Sequence, residues 1–170
     1  RLQFCHFMRH QINGNNNFLN CVLFSDEARF SNNGNVNKHN CHYYAQVNPR
    51  WMVAAHFQRV YTVNVWCGIL GDHVIGPHFF EGNLTGEIYL DFLVNILPTI
   101  LDNVDLFTRQ QMFYQHDGAP PHYHINVRNY LNRAYENKWI GRGAAVPCPP
   151  PRSPDMTPLD FFLWGFVKEL

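Results

Sequence analysis

The chain has 170 residues, 46% of them hydrophobic and 15% aromatic. That is enough for one domain with a sizeable core, and too apolar for disorder. The formal net charge is zero, which argues against a whole-molecule pull towards nucleic acid or a membrane surface. Five cysteines, an odd number with no CxxC spacing, suit reduced thiols of an intracellular protein rather than a disulfide frame. No stretch reads as a signal peptide or approaches the roughly 18 apolar residues of a membrane span. Arg1 and a last stretch that reads as helix suggest a piece of a longer protein.

Leu2, Phe4, Phe7, Met8 and Ile12 recur at helical spacing, and Asn13-Gly14 predicts the stop of a packing helix within residues 1–20. Cys21 to Phe24 is a short apolar strand that terminates in Ser25-Asp26-Glu27, with Val22, Phe24 and Asp26 on one face by two-residue alternation. An acid there suits either a turn or a reactive site. From Ala28 to Gly71 there is no acid, while Arg29, Lys38, Arg50 and Arg59 give the segment four cations. Asn-rich and weakly periodic to about residue 59, it reads as a long loop that is either solvated surface or a phosphate-facing arm. His42 to Ala45 is a possible short strand within it. His39-Asn40-Cys41-His42 offers zinc-type donors but lacks a second matched pair.

Tyr61 to Leu70 and His73 to Phe80, joined by Gly71-Asp72, predict a hairpin. Thr85 is a candidate N-cap, with Glu87 in the first turn of a helix whose apolar side runs from Ile88 to Leu101 and which Pro98 interrupts. Gln111 to Tyr114 reads as a buried strand ending at Gln115-His116-Asp117-Gly118-Ala119-Pro120-Pro121-His122, followed by a helix from His122 to about Tyr135. Asp117 therefore sits at the carboxyl end of a strand, where open α/β sheets place ligands. Arg128, Arg133, Lys138, Arg142 and Arg152 form a second basic run. Ala144-Ala145-Val146 is a candidate short strand, ended by Pro147 and Pro149-Pro150-Pro151. Thr157-Pro158-Leu159-Asp160 then opens a helix, with Asp160 at a position an acid favours through the helix dipole. Asp155 fits a Ser-Pro-Asp turn.

This order predicts an α/β protein, a mixed central sheet with helices packed on it. Carboxylates on rigid elements that converge on one point are what Mg²⁺ needs: a few hard oxygens, with the remaining positions left to water or phosphate. Two such ions clamp the attacking and leaving oxygens of a phosphoryl displacement.

Phe24-Ser25-Asp26-Glu27, His116-Asp117-Gly118-Ala119-Pro120-Pro121-His122 and Arg152-Ser153-Pro154-Asp155-Met156-Thr157-Pro158-Leu159-Asp160 resemble the three signature blocks of Tc1/mariner transposases. Asn48-Pro49-Arg50-Trp51, Val65 to Ile69, Leu84-Thr85-Gly86 and Trp139 to Arg142 are similar to the same superfamily, so the resemblance spans nearly the whole chain. It implies an RNase H-like catalytic domain over residues 21–170, preceded by the packing helix of 1–20, without the family's N-terminal helix-turn-helix region. It implies that Asp26, Asp117 and Asp160 are the catalytic acids and metal ligands, with Asp160 rather than Asp155 as the third. The implied activity is Mg²⁺-dependent (or Mn²⁺-dependent) cleavage at transposon ends and strand transfer into target DNA. DNA is then the partner, in a homodimer of the full-length protein, in the nucleus. The implied clamp loop falls in the basic segment. Two departures stand out: a longer stretch between Asp117 and Asp160 than in the best-known members, and Pro147-Cys148-Pro149 where relatives tend to carry a Trp-Pro pair. The alternative is a decayed or domesticated remnant that binds nucleic acid or protein without catalysis.

Overall fold

A computed structural model describes residues 1–31, 61–150 and 153–169. The expectations placed on the long basic loop, including the strand at His42 to Ala45 and the zinc-type donors, lie outside the described residues. The described elements are α1 (Leu2–Gly14), β1 (Val22–Ser31), β2 (Thr62–Leu70), β3 (His73–Phe80), α2 (Gly86–Asp91), α3 (Leu97–Ile100), α4 (Leu106–Gln111), β4 (Phe113–Gln115), α5 (Ile125–Ala134), β5 (Trp139–Ile140) and α6 (Trp164–Glu169). The strands form one five-stranded sheet in the order β3-β2-β1-β4-β5. β1 to β3 run antiparallel, while β4 and β5 join parallel to β1. The expected mixed sheet with packed helices is what forms.

Alternation along β1 explains how both faces are covered. Leu23 joins Trp66, Leu70, Tyr89, Phe92, Leu93, Val127 and Leu131 in the largest core cluster, under α2, α3 and α5. Val22, one residue earlier, faces the other way, against Phe4, Phe18 and Ile140 beneath α1. Further along that second face Ala28, Val65 and Cys67 pack against Leu159 and Trp164 of the C-terminal helix. The helix of residues 1–20 thus covers part of one sheet face. The hairpin β2–β3 turns at Gly71, whose φ of +59° suits a residue without Cβ.

The helix opened by Thr85 is capped as expected, its Oγ1 accepting from the Ile88 amide at 3.3 Å. It runs through α2, a π turn over Phe92–Ile96, and α3. The irregularity precedes Pro98, which has no amide to donate and crowds the preceding turn. Other boundaries shift. β1 continues past Asp26 to Ser31, because β2 pairs with it along its whole length, from Leu23 opposite Leu70 to Ser31 opposite Thr62. Gln111 closes the short helix α4, capped by Asp105, whose Oδ1 accepts from the Thr108 amide. Ala144 to Val146 forms no strand. Val146 makes a single bridge to Ile140, and the fifth strand is Trp139-Ile140.

Candidate functional site

β1 and β4 pair in parallel, Phe24 opposite Gln115. Two residues further on, that register sets Asp26 beside Asp117, at the point where β4 ends and β1 continues. Ser25 pins the junction: its buried hydroxyl donates to the Gln115 carbonyl at 2.7 Å. Asp160 arrives from the other direction. The Thr157 carbonyl accepts from the Asp160 and Phe161 amides at 3.0 and 3.2 Å, which starts a helical turn with Asp160 near its head. All three acids line one cleft of about 760 Å³, with Glu27, Gln115, Gly118, Arg142 and Thr157. Asp155 is elsewhere, paired with Arg1.

The acids differ in surroundings. The Asp26 and Asp160 carboxyls face each other, and Asp26 accepts a hydrogen bond from the Trp164 indole N–H at 2.8 Å. Burial, then the charge of Asp160, then that of Glu27, push Asp26 up to about 7, and the indole only partly offsets them. Asp160 is raised too, by burial and by Asp117. Both carboxyls of this pair are therefore easier to protonate than free ones, as close acids are when no cation stands between them.

Asp117 has its own partner. Its Oδ1 accepts from the Ala119 amide at 2.9 Å and lies 2.6 Å from His122 Nδ1. Desolvation opposes its charge, yet its side chain is 58% exposed, so this reflects the cleft walls rather than a dry core. The His122 contacts outweigh it and hold Asp117 below the usual carboxylate range. His122 is buried, and its Nε2 lies 3.1 Å from Glu27 Oε2. That contact is an off-line ion pair, since neither His122 Nε2 nor Glu27 Oε1 has a hydrogen-bond partner. Burial disfavours the imidazolium, but Glu27 and Asp117 raise His122 to about 10.

Behind His122, the His116 ring stacks on it at 4.8 Å and 8°. His116 Nδ1 meets the Tyr89 hydroxyl at 3.1 Å, and Tyr89 bonds Tyr114 at 2.7 Å. Burial and the neighbouring His122 hold His116 well below its ordinary range, hence neutral. A Cβ on Gly141 would come within 2.3 Å of the His116 ring, so this packing requires glycine there.

Sequence reasoning gave no role to His122, His116 or Trp164, and weighed Glu27 only as a neighbour of Asp26. One local signal was available for His122: five residues past Asp117, across a Gly-Ala-Pro-Pro turn, it is placed to fold back on that acid. Trp164 carries no such signal, because its partner is 138 residues away.

Among the described residues no three His, Cys, Asp or Glu side chains close around one point in a metal-holding arrangement. The donor set nevertheless suits a hard divalent cation. Its charged donors are carboxylates, the buried Gln115 Oε1 beside them lacks a donor, and the one thiol on the cleft wall, Cys148, is pushed up by burial and by Asp117 and so stays a neutral, poor ligand.

No protein-family model matches the sequence, and no curated protein matches it. The fold has solved counterparts. The chain is similar to the catalytic domain of Mos1 mariner transposase, at 18% identity and a TM-score of 0.67 over 98% of this chain and 67% of that one. The same domain with Raltegravir and Mg gives 18% and 0.67, over 98% and 68%. The Mos1 paired-end complex with the left transposon end gives 21% and 0.66 over 98% of this chain. The chain spans 46% of the length of that transposase. These likenesses are of fold, and they place this sheet and its helices in the RNase H-like class.

Proposed function

We propose that this chain is the metal-dependent catalytic domain of a mariner-like DNA transposase, which cleaves phosphodiester bonds at transposon ends and transfers the freed strand to target DNA. Residues 21–170 form the catalytic unit, and the helix of residues 1–20 packs against it. The observation that carries the reading is the meeting of Asp26, Asp117 and Asp160, from three distant blocks, in one cleft of a fold whose solved counterparts are mariner transposases. Structures of those counterparts contain Mg, Mn or transposon-end DNA.

Asp26, Asp117 and Asp160 would hold the divalent ions. When bound, such ions supply the positive charge that activates an attacking oxygen and stabilises a leaving one. The chain's own residues do the rest. Trp164 fixes Asp26, and His122 fixes Asp117 and neutralises charge behind it. A cation held there would offset the repulsion that keeps Asp26 and Asp160 raised. The attacking group is water for cleavage and a 3′-hydroxyl for joining, with no covalent enzyme intermediate. In the whole protein two such domains act on paired DNA ends, in the nucleus.

The test is nicking of supercoiled plasmid in Mn²⁺ or Mg²⁺. The chain is expected to nick, and Asp117→Asn to abolish nicking while keeping its circular dichroism spectrum. A folded parent protein that leaves the plasmid intact in both metals would remove the catalytic reading in favour of the non-catalytic one.

A further inference from the structure

Beside the acidic cleft stands a cationic feature that the proposed chemistry does not use. Tyr123 follows His122 directly and is 37% exposed. Two guanidiniums lie over its ring: Arg128 of α5, with Cζ 4.3 Å from the centroid, and Arg142, at 4.1 Å. Arg128 Nε also donates to the Tyr123 carbonyl at 3.2 Å. Gly143 lets the Arg142 loop come this close. Its φ is +89°, and a Cβ there would meet Arg128 Cδ at 3.0 Å and the Tyr123 ring at 3.3 Å. On its other side Arg142 rests against Gly118, one residue from Asp117, and it lines the same cleft as the three acids.

Like charges this close repel, so the trio needs a reason. Two other arginines take carboxylates, Arg1 with Asp155 and Arg109 with Asp102, while Arg29 and Arg133 bond neutral oxygens. Among the described residues, Arg128 and Arg142 have no carboxylate partner. Stacking on an aromatic ring holds a guanidinium in place and leaves its N–H edge free for a bidentate oxyanion. A cleft with three carboxylates repels a nucleic-acid strand, so a fixed pair of cations at its rim supplies the attraction the acids remove. We infer that Arg128, Tyr123 and Arg142 form a clamp for the DNA backbone that grips phosphate next to the reacting one. The inference rests on the proposed catalytic reading for its choice of DNA, and it adds a binding site outside the three acids.

The experiment is anisotropy of a fluorescein-labelled DNA duplex with the chain over a salt series, giving the slope of log K against log salt. Each neutralised phosphate contributes about 0.9 to that slope. Arg128→Gln and Arg142→Gln are each expected to lower it by about 0.9, and the double variant by about twice that. Arg142→Lys keeps the parent slope but binds several-fold more weakly, because the charge remains and the planar stack is lost. Arg133→Gln, on the same helix but bonded among the described residues to the Asn129 carbonyl and away from the Tyr123 ring, leaves the slope unchanged. Parent-like slopes in Arg128→Gln and Arg142→Gln, or a parent that does not bind the duplex, overturn the clamp. Plasmid nicking separates the two readings. Nicking with parent-like slopes removes the clamp and keeps the catalytic reading. Lowered slopes without nicking keep the clamp and remove catalysis.

Discussion

The two halves of the acidic cleft solve the same electrostatic problem in opposite ways. On one side Asp26 and Asp160 face each other; the Trp164 indole N–H and the Glu27 backbone ease Asp26 and the charge of Lys168 eases Asp160, yet burial and mutual repulsion win and both are raised. On the other, Asp117 has an internal cation, His122, which Glu27 holds from behind, and it is lowered. One half eases its repulsion by raised carboxyls and the other by a built-in imidazolium. The lesson is that closeness of acids does not by itself make a site suited to metal; the half with no cation bonded to its carboxylates is, since the charge of Lys168 only partly offsets the raised Asp160. An incoming ion should therefore gain most at Asp26 and Asp160, and find Asp117 already ionised and aimed.

The largest effect should come from removing the internal cation. His122→Ala strands Glu27 opposite an empty space, and breaking a buried ion pair from one side costs about 3–5 kcal/mol. Urea denaturation reads this, and a loss below 1 kcal/mol would show that Asp117 and Glu27 do not depend on His122. Next is metal at the other half. Mn²⁺ at a hundred times its dissociation constant should stabilise the folded chain by about 2.7 kcal/mol, and Asp26→Asn should abolish that gain. Equal stabilisation of parent and variant would move the site away from Asp26.

The third test is pH in the absence of metal. Asp26 titrates near 7 when folded, against an ordinary value of 3.8. Its contribution is complete below pH 3.8 and is lost as pH rises through about 7. His122, raised from 6.5 to about 10, contributes fully below 6.5 and loses its share as pH rises through about 10. Each group tilts stability downward by at most about 1.4 kcal/mol per pH unit within its window. Asp26→Asn should flatten the lower window alone and His122→Gln the upper alone; a variant that flattens both would show that the halves titrate as one. The smallest effect is Trp164→Phe. It keeps the ring and removes the N–H, costing about 1 kcal/mol. The Asp26 carboxyl should then titrate above its parent value, as carbon-13 NMR would report.

Much of the scaffold could be read ahead of the structure where the signal is local. The β2–β3 hairpin follows from its β-branched strands and the Gly71 turn, and the Thr85 cap from residues three apart. The three acids could be named because each sits in its own short block. What could not be read was decided by partners distant in sequence. β1 runs past Asp26 because β2 supplies a ladder. Trp139-Ile140 is too short to carry a period, and becomes a strand only by lying beside Tyr114 and Gln115. Trp164 meets Asp26 across 138 residues, and Glu27 meets His122 only because the sheet brings β1 beside the turn after β4. The π turn before Pro98 is a compromise between helix and proline that spacing alone does not describe.

The parallel pairing of β1 with β4 also sets when the cleft can exist. Ser25 and Gln115, 90 residues apart, meet only after the hairpin and the α2–α3 helix lie between them. Contacts of that span are costly to close and slow topologies to form, whereas a hairpin closes locally. During synthesis the chain can therefore pair β2 with β3 well before Asp117 has left the ribosome, and Asp160 emerges later still. A nascent chain carries the first acid before the other two, so the cleft is complete only with the last turns of the domain.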